Sequence, residues 1–445
     1  MKNKVWIYLS SSGTSLICIV LGCVSGVIVA RLLGPEKRGE LMVIAYFPGL
    51  MAAFFPLALP QALTFFISKE PQRTSEVAAA GFRISLVFGV LGAITFAFIS
   101  KYALTAENQH LAKSIGLVCL MAPAMVVNPH FYAIHRGVHR FFLVNGLLIF
   151  VAGGYILLLL GFWYIDRISA FNIAVGTQCL QIVVAIISGC CIGSVLIRTR
   201  VKWSTYSKCL LQGLRFWLPM LALTLFTISD RAILIRTTSL EQIGYYAAAF
   251  AVAFPFALVA QGFAQIGFVE ISGESNDKIA VSLLARRFQM VQVISVGAAL
   301  AGLPLVHFVI RLGFGEKFTA AIPVAYFVVI AMSIRGLSWT LECGLRAKNH
   351  IWPGIASGLT SFGCLIFLSV LLVPSGGAKS FGIALLFAQT TGLVILILAA
   401  KWSLGISFLD LYGLRPAIVV TLCESLLTLI RPKKNNANSY NPTTS

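Results

Sequence analysis

Charged residues are scarce in this chain of 445 residues: 15 are acidic, 34 are basic, and together they make up 11%. Soluble globular domains carry about 25% charged residues, whereas this chain is 58% hydrophobic. Because so little polar surface cannot cover a body of this size, apolar side chains must face lipid as well as the core. Only helices and closed barrels satisfy their backbone groups in a bilayer, and the long continuous apolar runs exclude the short alternating strands of a barrel. The composition predicts an all-α integral membrane protein.

Motifs of nucleotide, metal and cofactor chemistry are also missing. The chain has no GxxxxGK[ST] phosphate loop and no HExxH pair. Its ten cysteines show no CxxC spacing, and nearly all lie inside apolar runs, as small buried hydrophobic residues do. We therefore predict no cofactor, no metal site and no enzymatic activity. A nucleotide-driven pump is excluded too, so any energy must come from an ion gradient, the membrane potential or consumption of the product.

Apolar runs divide the chain into about twelve predicted transmembrane helices. Most are near or above the ~20 residues that a helix needs to cross ~30 Å of hydrocarbon. The runs cover residues 5–30, 41–67, 77–100, 114–134, 141–164, 169–197, 216–236, 243–269, 288–312, 319–344, 351–373 and 380–400. A longer polar stretch interrupts the series at its middle. We therefore predict an N-terminal six-helix bundle (1–197), a cytoplasmic linker (198–215), a C-terminal six-helix bundle (216–404) and a cytoplasmic tail (405–445) with an interfacial helix and a disordered end.

Lysine and arginine are distributed unevenly between the two sides of the predicted bundle. With the N-terminus inside, the inner segments hold 22 of these residues and the outer loops hold 10. Inner loops of membrane proteins carry the excess of positive charge, so both termini are predicted to be cytoplasmic. The same asymmetry explains much of the net charge of +19, and we predict no nucleic-acid partner.

The two halves repeat short patterns in the same order. Three residues after the first predicted helix recur after the seventh at an offset of 205, in the pairs Arg31 and Arg236, Glu36 and Glu241, and Gly39 and Gly244. Arg136 and Arg346, after the fourth and tenth helices, correspond at an offset of 210. Six helices per half give both copies the same orientation. We therefore predict a parallel pseudo-two-fold repeat around a central cavity that holds the substrate.

Three segments resemble those of a known family. Residues 30–40 (ARLLGPEKRGE) resemble the signature after the first helix of polysaccharide biosynthesis proteins, the Wzx-type oligosaccharide flippases. Residues 229–246 resemble the region of the seventh and eighth helices of that family, and residues 136–141 resemble its loop after the fourth helix. The resemblance covers residues 1–404. It implies a superfamily that also holds lipid II flippases and multidrug and toxic compound extrusion exporters, built as two six-helix bundles that work by alternating access.

Four charged residues are candidates for lining the cavity: Arg31, Asp230, Arg231 and Arg335. A charge at the centre of a membrane helix costs ~2.5–3.5 kcal/mol on insertion scales, so each needs water, a partner or cargo. Asp230 either lines the cavity or forms an interhelical ion pair, and Arg335 either lines the cavity or pairs with an acid such as Asp230. Arg31 either lines the outer mouth or extends to the membrane interface. The cargo that the resemblance implies carries a diphosphate, which suits bidentate contacts from arginine.

The leading functional hypothesis is a flippase for polyprenyl-diphosphate-linked oligosaccharide repeat units. It would work in the bacterial inner membrane, in O-antigen, capsule or exopolysaccharide synthesis. Expected partners are the lipid-linked glycan, membrane lipids, and a polysaccharide polymerase with its chain-length machinery. A multidrug exporter of the same superfamily is the alternative within transport. A membrane-embedded polymerase or ligase is the alternative of another class, and the short outer loops count against it because such enzymes tend to need a sizeable polar outer loop.

Overall fold

The structure is a computed structural model that describes residues 2–412, with side chains from residue 13 onward apart from several positions between 218 and 273. Every regular element in this part of the chain is helical, which confirms the all-α class. The α-helices are α1 (Lys2–Phe54), α2 (Leu59–Lys69), α3 (Thr74–Ala103), α4 (Ala112–Leu120), α5 (Pro123–Gly137), α6 (Phe141–Tyr164), α7 (Ala170–Ile192), α8 (Val195–Arg198), α9 (Trp203–Thr237), α10 (Leu240–Gly273), α11 (Asp277–Phe308), α12 (Ala321–Ala347), α13 (Trp352–Leu404) and α14 (Phe408–Tyr412). A π-helix, Val309–Phe314, extends α11.

Eight helical segments of the described residues are long and apolar enough to cross a membrane. Two of these segments contain helices of 53 residues, α1 and α13. A single pass needs about 20 residues, so each of these helices has the length of two passes. Gly34 in α1 and Gly377 in α13 have φ angles of 72° and 56°, which interrupt the helical path and divide each helix into two. The chain is a multi-pass membrane protein, and the count of twelve helices stays a prediction.

Large apolar side chains cover the outside of the bundle, including Leu157, Trp163 and Phe367. Small residues occupy many of the buried positions, as Ala248 and Ala249 do in α10, which packs closely against α12 and α1. Lipid tails are as apolar as the core, so the hydrophobic effect does not drive membrane helices together. Their association depends on close packing instead, and small side chains let the helices approach one another. This distribution of large and small side chains is the one that a lipid-facing bundle requires.

The polar stretch 198–215, predicted as a linker, is mostly helical, because α9 begins at Trp203. The first turns of α9 pack against α3. Thr205 Oγ1 donates a hydrogen bond to Glu76 at 2.6 Å, and Arg83 donates to the hydroxyl of Tyr206 at 3.0 Å. These tertiary contacts stabilise a helix in a sequence whose polarity indicates a loop. Of the predicted tail, the structure describes residues 405–412; the predicted interfacial helix and disordered end lie outside the described residues.

One pair of turns supports the predicted repeat. His139 and Asn349, which follow α5 and α12, have φ angles of 62° and 64° and are separated by the offset of 210 found in the sequence. The next residue in each turn donates its amide to the carbonyl five residues earlier, at 2.8 Å and 2.9 Å. Equivalent positions of the two halves therefore adopt equivalent backbone conformations.

Candidate functional site

The two halves meet at the repeated glycines. A Cβ added at Gly39 in α1 would lie 2.7 Å from the carbonyl carbon of Leu240, and one added at Gly244 in α10 would lie 2.7 Å from that of Pro35. Carbon atoms in van der Waals contact are about 3.5–4.0 Å apart, so only glycine allows the backbones to pass this closely. Pro35 and Leu240 are related by the same offset of 205 as the glycines. We call this symmetric contact the outer junction, because the predicted topology places it outside.

Arg38 stabilises the outer junction from within. Its side chain is 6% exposed and donates to the carbonyl oxygens of Gly26 at 2.8 Å and Ala247 at 3.2 Å. The guanidinium carbon also lies 5.0 Å from the ring centre of Phe314, within the range of a cation–π interaction. Arg38 lies between the predicted runs 5–30 and 41–67, where the sequence indicates a loop, but the structure forms a helix there. The chain stays helical on either side of Gly34, so Arg38 lies on a helix face that packs against the other half.

Arg31 lies at the outer junction as well. Its Nε donates to the carbonyl of Gly313 at 2.6 Å, and Nη2 donates to the carbonyl of Leu312. Both carbonyls belong to the last residues of the π-helix, where intrahelical donors run out, and the guanidinium supplies the missing donors. Arg31 itself is exposed and lines an open cleft with Gly34 and Phe318. The structure therefore gives it contacts that join the first half to the second, at the end predicted to be outside.

Asp230 is buried in α9, and its carboxylate accepts hydrogen bonds from neutral groups. Its Oδ2 accepts a hydrogen bond from the hydroxyl of Tyr246 at 2.7 Å, and its Oδ1 accepts from the backbone amide of Arg231 at 2.7 Å. Tyr246, on α10, is fully buried, and its ring lies edge-on to Phe381 at 5.2 Å. A buried carboxylate requires such donors, because an unpaired one would carry a large desolvation cost.

Arg231 and Arg335 contact aromatic rings. The guanidinium carbon of Arg231 lies 5.6 Å from the ring centre of Phe250, and its Nε is buried without a hydrogen-bond partner. The guanidinium carbon of Arg335 lies 5.8 Å from the ring of Phe226 and 5.0 Å from that of Trp339. Arg335 occupies the middle of α12, about 20 Å from either end at 1.5 Å per residue.

The ion pair considered between Asp230 and Arg335 is not formed. Among the described residues, the ion pairs within 4 Å are Arg73 with Glu70 and Glu76, Arg287 with Glu270, Arg311 with Glu316, and Lys348 with Asp277. Each of them includes a residue near a helix end. The described interior thus contains three arginines outside any ion pair, Arg38, Arg231 and Arg335, together with one acid, Asp230, that accepts from neutral donors. Carbonyl oxygens already accept from Arg38, so Arg231 and Arg335 are the two without such partners. Such an arrangement leaves positive charge available to an anionic group.

Sequence reasoning did not single out Arg38 or Tyr246. Both lie inside the segments that carry the family resemblance, 30–40 and 229–246, and that was the one signal available. Neither segment indicates the hydrogen-bond partner of its residue. Arg38 binds the carbonyl of Ala247 and Tyr246 binds Asp230, and each partner lies on another helix.

The family model for polysaccharide biosynthesis proteins matches residues 2–267, more than half of the chain. The chain belongs to this family. No curated protein matches this polysaccharide biosynthesis protein in sequence.

Solved structures share the fold of this polysaccharide biosynthesis protein. An inward-facing multidrug resistance MATE family transporter of the MOP superfamily superposes with a TM-score of 0.73 at 14% identity, covering 87% of this chain and 94% of its own. The lipid II flippase MurJ, in an inward closed conformation, gives a TM-score of 0.71 at 15% identity over 94% and 92%. A MOP superfamily transporter from Pyrococcus furiosus gives 0.63 at 14% over 90% and 95%. The fold is therefore that of the MOP superfamily.

Proposed function

We propose that this protein is a flippase for lipid-linked oligosaccharide repeat units, carried on a polyprenyl diphosphate across the bacterial inner membrane. The glycan would be used for a surface polysaccharide such as O-antigen, capsule or exopolysaccharide, with a polymerase and its chain-length machinery as downstream partners. Both termini would face the cytoplasm. The family and the fold support a membrane flippase, and the charges of the interior support the cargo.

The observation that carries the proposal is the state of Arg231 and Arg335. Both are deep in the bundle, and neither forms an ion pair within 4 Å among the described residues. Aromatic rings stabilise them by about 0.5–2 kcal/mol, less than an insertion cost of ~2.5–3.5 kcal/mol at a helix centre. Asp230 beside Arg231 and Glu342 near Arg335 act on these cations from beyond ion-pair distance. A diphosphate between the two halves would supply a counter-charge in direct contact, through charge-assisted hydrogen bonds.

Movement of the head group across the membrane requires a cavity between the halves, because hydrocarbon solvates neither sugars nor phosphate. The lipid tail can stay in the bilayer while the head group crosses. The outer junction closes one end of that path through Gly39, Gly244 and Arg38. Opening this junction while the other end closes would complete alternating access.

The test is disruption of the gene, followed by complementation with variants. Disruption should stop the surface polysaccharide and leave its lipid-linked units on the inner leaflet. Complementation with Arg335→Ala should fail, whereas Arg335→Lys should restore part of the export because it keeps the charge. Arg167→Ala, at an exposed position in the turn after α6, is the matched control and should restore export fully.

Three other outcomes would contradict the proposal. Unchanged surface glycan with raised sensitivity to cationic drugs would indicate a multidrug exporter. Accumulation of lipid-linked units on the outer leaflet would indicate a polymerase or ligase. Full export by Arg335→Ala would remove the observation on which the choice of cargo rests.

A further inference from the structure

The chain is broken part-way along the membrane helix that follows the outer junction. α1 ends at Phe54 and α2 begins at Leu59, and between them Leu57 and Ala58 have φ angles of 48° and 50°. Residues other than glycine avoid this left-handed region, at a cost of about 1–3 kcal/mol, unless their surroundings hold them there. Pro56 has no N–H, so the carbonyl of Ala52 loses its helical donor. Irregular backbone at membrane depth occurs where it is buried in protein or lines a wet cavity.

A cleft of about 380 Å³ lies against this break, between the first half and α9. Ala52 and Pro56 line it together with four polar or aromatic side chains, Gln61, Tyr132, Arg136 and Trp217. Ligand pockets have about this size, and combine aromatic walls with a few convergent polar groups. Trp217 also carries an unused donor beside the cleft, because its Nε1 is buried without a hydrogen-bond partner among the described residues.

Arg136 makes fewer contacts than the arginine that occupies the equivalent position of the second half. Arg346, the matching arginine of the second half, lies with its guanidinium carbon 5.5 Å from the ring of Phe268 and donates to Cys343 Sγ at 3.5 Å. Arg136 is exposed in the cleft and takes part in none of the ion pairs of the described residues. Neither arginine forms an ion pair, but the two differ in their contacts, and the cleft lies beside Arg136, which has no ring contact of this kind among the described residues.

We propose that this cleft is a binding subsite for the sugar–diphosphate head group, with Arg136 on the phosphates and the rings of Trp217 and Tyr132 against the sugar. The inference rests on the proposed function and deepens it, since it adds a second cationic site apart from Arg231 and Arg335. Arginine binds phosphate through paired donors, and amphipathic rings accommodate a surface that is partly apolar and partly hydroxylated. The Trp217 Nε1 and the carbonyl of Ala52 supply one donor and one acceptor for sugar hydroxyls.

The test measures binding to the purified full chain in phosphatidylcholine nanodiscs. The probe is a polyprenyl diphosphate carrying one N-acetylglucosamine. Arg136→Ala should weaken its binding about tenfold or more, as expected for the loss of a bidentate charged contact. Arg136→Lys should lose less, and Trp217→Phe, which keeps a ring but removes the donor, should lose less than Arg136→Ala. Arg346→Ala is the matched control and should bind as the wild type does, with the melting temperature of each variant confirming that it folds.

The outcomes separate the subsite from the function. Equal affinities of Arg136→Ala and Arg346→Ala, with a wild type that binds the probe, would overturn the subsite and leave the flippase proposal intact. A wild type that does not bind the probe would overturn both. Competition by uridine diphosphate N-acetylglucosamine, abolished by Arg136→Ala, would support recognition of the head group alone. Competition by phosphatidylglycerol instead would overturn the subsite in favour of a phospholipid site.

Discussion

Replacing Gly39 by alanine is expected to open the outer junction. The added Cβ would lie 2.7 Å from the carbonyl carbon of Leu240, about 1 Å inside van der Waals contact. Both groups are attached to backbone, so no side-chain rotation relieves the overlap, and the two helices must separate. Overpacking of this kind costs about 1–3 kcal/mol, which corresponds to a shift of about 5- to 150-fold in a two-state equilibrium.

Hydrogen exchange of the backbone amides in residues 240–248 measures this shift directly, because exchange follows local opening. Gly39→Ala and Gly244→Ala should each raise the exchange rate and reduce transport. The double variant should add little further, since both changes oppose the same closure. Gly49→Ala is the control: it lies on the same helix, and an added Cβ there meets nothing within 4 Å. Unchanged exchange in Gly39→Ala and Gly244→Ala would refute the reasoning.

Three further predictions concern single features. Asp230→Ala should lower the melting temperature, because the buried Tyr246 hydroxyl loses its acceptor at a cost of about 1–3 kcal/mol. The double variant with Tyr246→Phe should recover part of this loss. Strictly additive effects of the two changes would argue against the hydrogen bond between these residues. Arg38→Ala should raise exchange in residues 240–248 as the glycine variants do, since it removes the hydrogen bond to Ala247, and an unaltered rate would show that Arg38 does not hold the junction closed. Reporter fusions at Arg200 and Asp166 should score cytoplasmic and periplasmic, and the reverse pattern would contradict the predicted topology.

The fold class was predictable because solvation by lipid affects every residue of a membrane helix. The apolar runs therefore identify most of the described helices, and the scarcity of charge identifies the environment. The repeat was visible where backbone geometry constrains sequence, as at Gly39 and Gly244, whose close approach tolerates no side chain. Helix α9 begins earlier than its apolar run, because contacts with Glu76 stabilise a polar turn that has no hydrophobic signal of its own.

For the candidate site, the sequence indicated which charged residues need a partner, but it did not indicate which partner each has. The insertion cost indicated that Asp230 and Arg335 avoid lipid, but it does not say what each contacts. Their partners, Tyr246 and Trp339, lack a charge, so a search for complementary charges does not find them. The sequence does not identify Arg38 as a buried residue, because a short polar stretch between two apolar runs indicates a loop. In the structure this stretch is helical.

The aromatic surroundings of Arg335 have a consequence for turnover. A transporter must release its cargo as well as bind it, and a very stable complex would slow each cycle. A carboxylate next to Arg335 would compete with an arriving anion and would have to be displaced. The faces of Phe226 and Trp339 stabilise the cation by electrostatic attraction and can remain in place when an anion binds at the edge of the guanidinium. If the proposed anionic head group binds at Arg335, the empty and occupied states would differ little in side-chain arrangement, which would keep the barrier to release low.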